Sequence, residues 1–298
     1  MIIISGASGF VGQNLTAYLR GLEKDVFPVS LRTSNWENAI PIEAQAIIHL
    51  AGKAHDISNS SDPEAYFKIN RDLTIQLFDL FLKSNIRDFF YFSSVKAVAD
   101  VVKEVLTEDV IPSPLTSYGQ SKLMAEQYLL KQQLPMGKRL FIIRPCMIHG
   151  PGNKGNLNLL YKVVENGIPW PLASFHNERS FLSVDNLSYL MNEMLNNENV
   201  KSGVYNFSDD GVLSTNELVT LISETLDKKP HLWKIPTTII KTVVKVGDIL
   251  PLPLNSERLK KLTESYIVSN NKIKNELGIV LLPLSTKEGL IKTIKSFK

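Results

Sequence analysis

The first twelve residues read Met-Ile-Ile-Ile-Ser-Gly-Ala-Ser-Gly-Phe-Val-Gly, a short apolar run that ends in glycines at positions 6, 9 and 12. No other stretch limits the possible folds so strongly. Gly6 permits a tight turn after a strand, Gly9 lets backbone approach a pyrophosphate, and Gly12 lets the following helix pack close to the strand. A helix opening at Phe10 also offers free N–H groups and the positive end of its dipole to phosphates. The turn of Gly6, Ser8, Gly9, Phe10, Val11 and Gly12 is therefore expected to hold a dinucleotide.

A glycine triplet alone is weak evidence, and its setting strengthens it. Strands are expected over Ile2 to Ser5, Val26 to Leu31, Ala46 to Leu50, Phe89 to Ser93 and Leu140 to Arg144. Helices are expected over Phe10 to Leu22, Tyr66 to Ser84 (Phe67, Leu73, Leu77, Leu80 and Phe81 inward) and Ser117 to Gln132. Such alternation means βαβ units and a parallel sheet, with ligands at the carboxyl ends of its strands. The expected fold is α/β, a Rossmann-type doubly wound parallel sheet over 1–150. A smaller α+β substrate lobe over 151–298 follows, part of it returning to the sheet. In that lobe helices are expected over Leu157 to Asn166, Val184 to Leu195 and Thr215 to Leu226, and a strand over Gly203 to Phe207.

Composition excludes several function classes. A formal net charge of +3 with scattered Lys and Arg gives no nucleic-acid footprint. One cysteine, Cys146, rules out an internal disulfide and fits a reducing, cytoplasmic setting. The run from Ile235 to Leu254 is broken by Lys241, Lys245, Asp248 and prolines, so it reads as an amphipathic helix and a Pro-rich loop, not a membrane span. The N-terminus has no basic region or cleavage site and reads as a strand, not a signal peptide. No His, Cys and Asp combination has metal-ligand spacing.

Tyr118 and Lys122 stand four apart in Thr-Ser-Tyr-Gly-Gln-Ser-Lys, on one helix face. A phenol titrates near ~10, and an ammonium beside it favours the phenolate. The pair Ser93-Ser94 lies upstream, at the end of an expected strand. At the end of the second strand an NAD-selective site usually places Asp or Glu to hold the ribose 2′-OH. Here that place reads Val29-Ser30-Leu31-Arg32, and Ser30 with Arg32 suits a 2′-phosphate. The cofactor is NADP or NAD, with a lean to NADP.

Taken together, SGASGFVG, His49-Leu50-Ala51-Gly52, Phe92-Ser93-Ser94, Tyr118 with Lys122, Arg144-Pro145, Gly150-Pro151-Gly152 and Arg179-Ser180-Phe181-Leu182-Ser183-Val184-Asp185 resemble one family. It is the extended short-chain dehydrogenase/reductases, in the nucleotide-sugar epimerase/dehydratase group. UDP-glucose 4-epimerase-like proteins and 4-keto-sugar reductases of bacterial surface-polysaccharide synthesis look most similar.

The resemblance implies that Tyr118 is the acid/base, Lys122 its partner and ribose ligand, and Ser94 the hydroxyl on the reacting sugar oxygen, with Ser93 its rival. It places Leu50, Ala51, Gly52 and Lys53 along the cofactor, Asn70 near the catalytic centre, and Pro145 with Cys146 and Met147 on the nicotinamide side. Asn156, Arg179 and Arg258 are implied for the sugar nucleotide, while His149 and His176 read as pocket or packing residues. The resemblance further implies a UDP-sugar substrate and a homodimer. The activity it implies is a 4-epimerase working through a transient 4-keto sugar. Alternatives are an NADPH-dependent 4-keto-sugar reductase and a non-catalytic dinucleotide-binding regulator. Two departures stand out. Ala97-Val98-Ala99-Asp100 replaces the Tyr-Gly many relatives carry, which leaves the shape of the sugar pocket open, and Lys96 has no assigned role.

Overall fold

The structure, a computed structural model, describes residues 1–41, 43–53, 62–153, 155–248 and 255–298, with the backbone alone at 156, 246 and 257. Its strands are β1 (Ile2–Ser5), β2 (Val26–Val29), β3 (Ala46–His49), β4 (Asp88–Phe92), β5 (Val105–Leu106), β6 (Arg139–Pro145), β7 (Met147–His149), β8 (Arg179–Ser183), β9 (Gly203–Phe207), β10 (Val212–Leu213) and β11 (Ile267–Val268). Its α-helices are α1 (Phe10–Gly21), α2 (Pro63–Tyr66), α3 (Leu73–Lys83), α4 (Ser117–Lys131), α5 (Asn156–Glu165), α6 (Val184–Asn196), α7 (Thr215–Thr225), α8 (Thr237–Gly247), α9 (Ser256–Thr263), α10 (Asn271–Leu277) and α11 (Thr286–Lys295). The expected elements appear with ends shifted by at most two residues, except the helix expected over 66–84. The Pro-rich part of the 235–254 run falls largely outside the described residues. Among the described residues no helix is long and apolar enough to cross a membrane.

Six strands form one sheet in the order β2-β1-β3-β4-β6-β9, and every pairing in it is parallel. The chain leaves β1 towards β2 and resumes at β3 on the other side of β1. The switch point, where such sheets open a ligand crevice, thus lies between β1 and β3. Register sets Ser5 level with Val29 on one side and His49 on the other.

Strand alternation divides the core in two. Ile2, Ile4, Phe90, Phe92, Phe141 and Ile143 pack on one face with Leu15 and Leu19 of α1 and Leu187 and Leu190 of α6. Ile3, Ile47, Phe89, Tyr91 and Ile142 pack on the other with Leu77, Phe78 and Phe81 of α3 and Ala125 and Leu129 of α4. Each fully buried ring contributes on the order of 2–3 kcal/mol. A third cluster fills the C-terminal part, where α5, α7, α8 and α11 converge on Phe181. β9 runs back into the main sheet beside β6. β7, β8 and β10 form a small sheet, and β11 pairs β5 within the segment leading to α4.

The expected helix over 66–84 is in fact three pieces. α2 passes into a π-helical turn, Phe67–Asp72, before α3 begins. A π turn holds one extra residue, so the inward face slips relative to a 3.6 period. Phe67 is half-buried, Leu73 and Leu80 are half-buried but pack against this core, and Asn70, Thr74 and Phe78 join Leu77 and Phe81 inside.

Candidate active site

The glycine turn is fixed by crowding at two of its three glycines. Gly6 has φ +75°, and a Cβ there would stand 2.6 Å from the Ala51 amide nitrogen. A Cβ on Gly12 would stand 2.6 Å from the Ala7 Cα and collide with the Gly6 carbonyl. Gly9 has ordinary dihedrals, φ −76° and ψ 169°, and no side chain caps α1 there. No acid lies in the first turn of α1. The helix thus presents its first amides and positive pole, at Phe10 and Val11, to an anion. Ser30 and Arg32 are exposed just past β2, at the neighbouring strand end, and the Arg32 amide reaches the Ser30 hydroxyl at 3.5 Å.

Beyond β3 the segment Leu50–Lys53 is pinned from two sides. The Leu50 amide donates to the Ser5 carbonyl at 3.1 Å and the Ala51 amide to the Ser5 hydroxyl at 3.4 Å. From the π turn, Asn70 accepts from the Lys53 amide at 2.7 Å and donates to the Lys53 carbonyl at 3.1 Å. Its Nδ2 also lies 3.1 Å from the Ser121 hydroxyl of α4. Asn70 therefore holds neighbouring segments together rather than its own helix. A Cβ on Gly52 would stand 3.0 Å from Asn70 Oδ1 and 3.3 Å from Lys122 Nζ. This bare ledge meets the glycine turn where Gly6 packs on Ala51, and a dinucleotide would run along both. Gly6, Ser8, Gly9, Phe10, Val11 and Gly12 would cradle its phosphates, and Leu50, Ala51, Gly52 and Lys53 would line its run towards Lys122.

Tyr118 lies in the first turn of α4, which Thr116 caps by accepting from the Gly119 amide at 3.2 Å. Gly119 packs so tightly that a Cβ would stand 2.8 Å from Pro114 and run into the Lys96 carbonyl. This close approach brings the Tyr118 hydroxyl to Ser94, with which it hydrogen-bonds. The Tyr118 ring meets the Tyr66 ring edge-on, centroids 6.1 Å apart. Burial raises the phenol above its usual value, and the Ser94 bond works against it by lowering it.

The two serines at the end of β4 face different ways. Ser93 continues the sheet, its amide donating to the Ile143 carbonyl at 2.8 Å, and its hydroxyl bonds Glu126. Glu126 pairs with Arg144 at 2.5 Å, both buried. Ser94 instead leads a short 3-10 turn, Val95–Ala97, and turns to Tyr118.

Lys122 differs from the sequence expectation in its immediate contacts. Its Nζ donates to the Phe92 carbonyl at 2.8 Å and lies 4.9 Å from the Tyr91 ring centroid. Burial lowers its pKa to about 8, and Glu126 one turn along α4 pulls it back up. The hydrogen bond from Ser94 favours the Tyr118 phenolate. The lysine stem bends under β4 to satisfy a strand-end carbonyl.

Pro145 closes β6, and Cys146 and Met147 follow it into separate apolar clusters. His149 is buried, with Nδ1 2.9 Å from the Thr293 hydroxyl. His176 is exposed, which removes packing from its two readings. Arg179 is half-buried and donates to the Lys261 carbonyl of α9. Arg258 lies exposed one turn earlier on α9, whose N-cap Asn255 accepts from its amide at 2.9 Å. Asn156 opens α5, and its side chain lies outside the described residues. Sequence reasoning gave no role to Glu126, although Tyr118, Lys122 and Glu126 recur at intervals of four on one helix face.

Residues 2–207 match the model of the NAD dependent epimerase/dehydratase family. The chain belongs to that family, an NAD(P)-dependent group of enzymes. It is similar to the UDP-glucose 4-epimerase of Vibrio cholerae, at 28% identity over 99% of this chain and 95% of that one. MoeE5 in complex with UDP-glucose and NAD has the same fold, with TM-score 0.77 at 19% identity over 99% and 98% of the two chains. So has RMD of Pseudomonas aeruginosa with NADPH, with TM-score 0.76 at 20% identity over 99% and 98%.

Proposed function

We propose that the protein is an NAD(P)-dependent nucleotide-sugar 4-epimerase acting on a UDP-hexose or UDP-N-acetylhexosamine. The observation that carries this reading is the Ser94–Tyr118 hydroxyl pair, set at the strand ends where the Gly52 ledge reaches Lys122. When bound, the cofactor supplies a hydride acceptor and donor. Tyr118 takes the proton from the sugar C4 hydroxyl and returns it to the same oxygen, and Ser94 holds that oxygen during both transfers. Lys122 stands at the end of the ledge and adds positive charge near the phenol. Burial of the site keeps water from the keto sugar formed between the two transfers. Asn156, Arg179 and Arg258 hold the sugar nucleotide, Arg by its bidentate fork to phosphate.

A second reading rests on one specific feature. Ser30 and Arg32 stand where a ribose-binding carboxylate would select NAD, which supports NADP and with it a 4-keto-sugar reductase. Incubation with UDP-glucose or UDP-GlcNAc without reductant, followed by NMR of the sugar, tests the order of the two. Formation of the C4 epimer supports the epimerase. No epimer, together with NADPH-dependent loss of a 4-keto sugar nucleotide, reverses it. Comparing Kd for NADP and NAD tests the cofactor lean, which clearly tighter NAD binding would sink. A cytoplasmic homodimer completes the reading. The exposed Met124 and Leu130 of α4, 41% and 53% accessible, give that helix an apolar outer surface to share.

A further inference from the structure

The proton chemistry above leaves Lys96 unused. It sits two residues past Ser94, in a backbone clamped by Gly119 on one side. On the other side the Tyr266 hydroxyl lies 2.7 Å from the Ala99 carbonyl and 3.2 Å from that of Val95. The half-buried Lys96 Nζ donates to the Asp100 carbonyl at 2.9 Å and lies 4.3 Å from the Tyr266 ring centroid. A carbonyl and a ring face occupy two directions of an ammonium that has three donors.

The Asp100 carboxylate is turned away. Its oxygens accept from the Leu115 amide at 2.7 Å and the Thr116 hydroxyl at 3.4 Å, at the entrance to α4. Arg179 is close enough for its charge to act on Lys96, and it donates to a neutral carbonyl, that of Lys261. Among the described residues neither cation has a carboxylate within salt-bridge distance. Glu264 acts on both by charge but faces Lys260 at 3.7 Å. Burial is the largest influence on Lys96 and lowers it to about 8. Asp100 and Glu264 pull it up, while Arg179 and Lys261 push it down. Two half-buried cations that repel each other, with no matching carboxylate in contact, form a receptor for negative charge.

We propose that Lys96, acting with Arg179, binds an oxyanion of the sugar-nucleotide substrate, either the β-phosphate or a carboxylate carried by the sugar. Its place beside Ser94 sets it at the sugar end of the substrate. The inference rests on the sugar-nucleotide reading above.

Calorimetric binding of UDP-glucose and UDP-glucuronic acid to the wild type, Lys96→Met and Lys96→Arg at pH 7 and pH 9 tests it. Lys96→Met is expected to weaken binding about tenfold or more at pH 7, the worth of one charge-assisted bond. Equal losses for both ligands identify the β-phosphate, and a loss confined to UDP-glucuronic acid identifies the carboxylate. The wild type is expected to weaken at pH 9 as Lys96 loses its proton, whereas Lys96→Arg holds its affinity at both pH values. That contrast is one a purely structural lysine would not produce. Lys96→Met that binds both ligands like the wild type, even with a lowered Tm, overturns the inference alone. A wild type that binds neither ligand overturns the sugar-nucleotide reading and this inference with it.

Discussion

His49 Nδ1 lies 2.6 Å from the Ser5 hydroxyl, joining the ends of the two strands that flank the switch point. The neighbouring bonds fix the proton. Thr74 donates to the Asn70 carbonyl at 2.8 Å, so it accepts from His49 Nε2 at 2.9 Å. Nδ1 is then the acceptor and the ring is neutral. Burial, and after it the Lys122 charge, lower its pKa to about 3. The unfolded chain takes up a proton near ~6.5. The stability that depends on neutral His49 is therefore full above that pH and is lost as pH falls towards about 3. Urea unfolding at pH 7.5 and pH 5 is expected to show a loss on the order of 2 kcal/mol in the wild type. A His49→Gln variant should have a visibly flatter pH dependence. Equal slopes in the two proteins would refute the assignment.

The serine pair gives opposite phenotypes. Ser94→Ala removes the hydroxyl on Tyr118 and should lower kcat about 10²-fold, the scale of one transition-state hydrogen bond, with little change in Tm. Ser93→Ala takes a donor from the buried Glu126 carboxylate and should cost about 1–3 kcal/mol of stability while kcat stays near that of the wild type. Paired kinetic and thermal-melt measurements separate the two, and a reversed pattern would reassign the oxygen ligand.

Tyr118→Phe keeps the ring against Tyr66 and deletes the proton carrier. A fall of about 10²–10⁴ in kcat, the usual worth of general acid–base catalysis, is expected with unchanged dinucleotide affinity. Full turnover in this variant would remove Tyr118 from the chemistry.

Gly12→Ala drives a methyl group into the Gly6 carbonyl and the Ala7 backbone. Neither neighbour is a movable side chain, so α1 must lift from β1. The expected cost is about 1–3 kcal/mol of stability, with weaker dinucleotide binding measured by fluorescence titration. Gly21→Ala at the far end of the same helix meets no atom within 4 Å and serves as the control.

Strand and helix positions were readable because period-two and near-3.6 patterns are local and strong. Gly6 and Gly12 were equally readable, since a collision with backbone leaves no other residue possible. Three features were not. The π turn hides because Leu73, Leu77, Leu80 and Phe81 keep ordinary helical spacing just past it, and no residue type within Phe67–Asp72 marks the extra residue. The bend of Lys122 towards Phe92 depends on a strand-end carbonyl that no spacing reveals. The Ser5–His49–Thr74 chain joins residues 44 and 25 positions apart, a relation that exists only once the sheet forms.

The return of β9 to the sheet has a practical consequence for dissecting the protein. The family match ends at residue 207, the last residue of β9. A fragment cut after Gly150 would keep the glycine turn, Ser94 and Tyr118, yet leave β6 as a bare flank along Phe141–Pro145. Unpaired apolar edges recruit other chains, so such a fragment is expected to aggregate. The smallest soluble piece is set by the strand that closes the sheet, not by the last residue of the reacting centre.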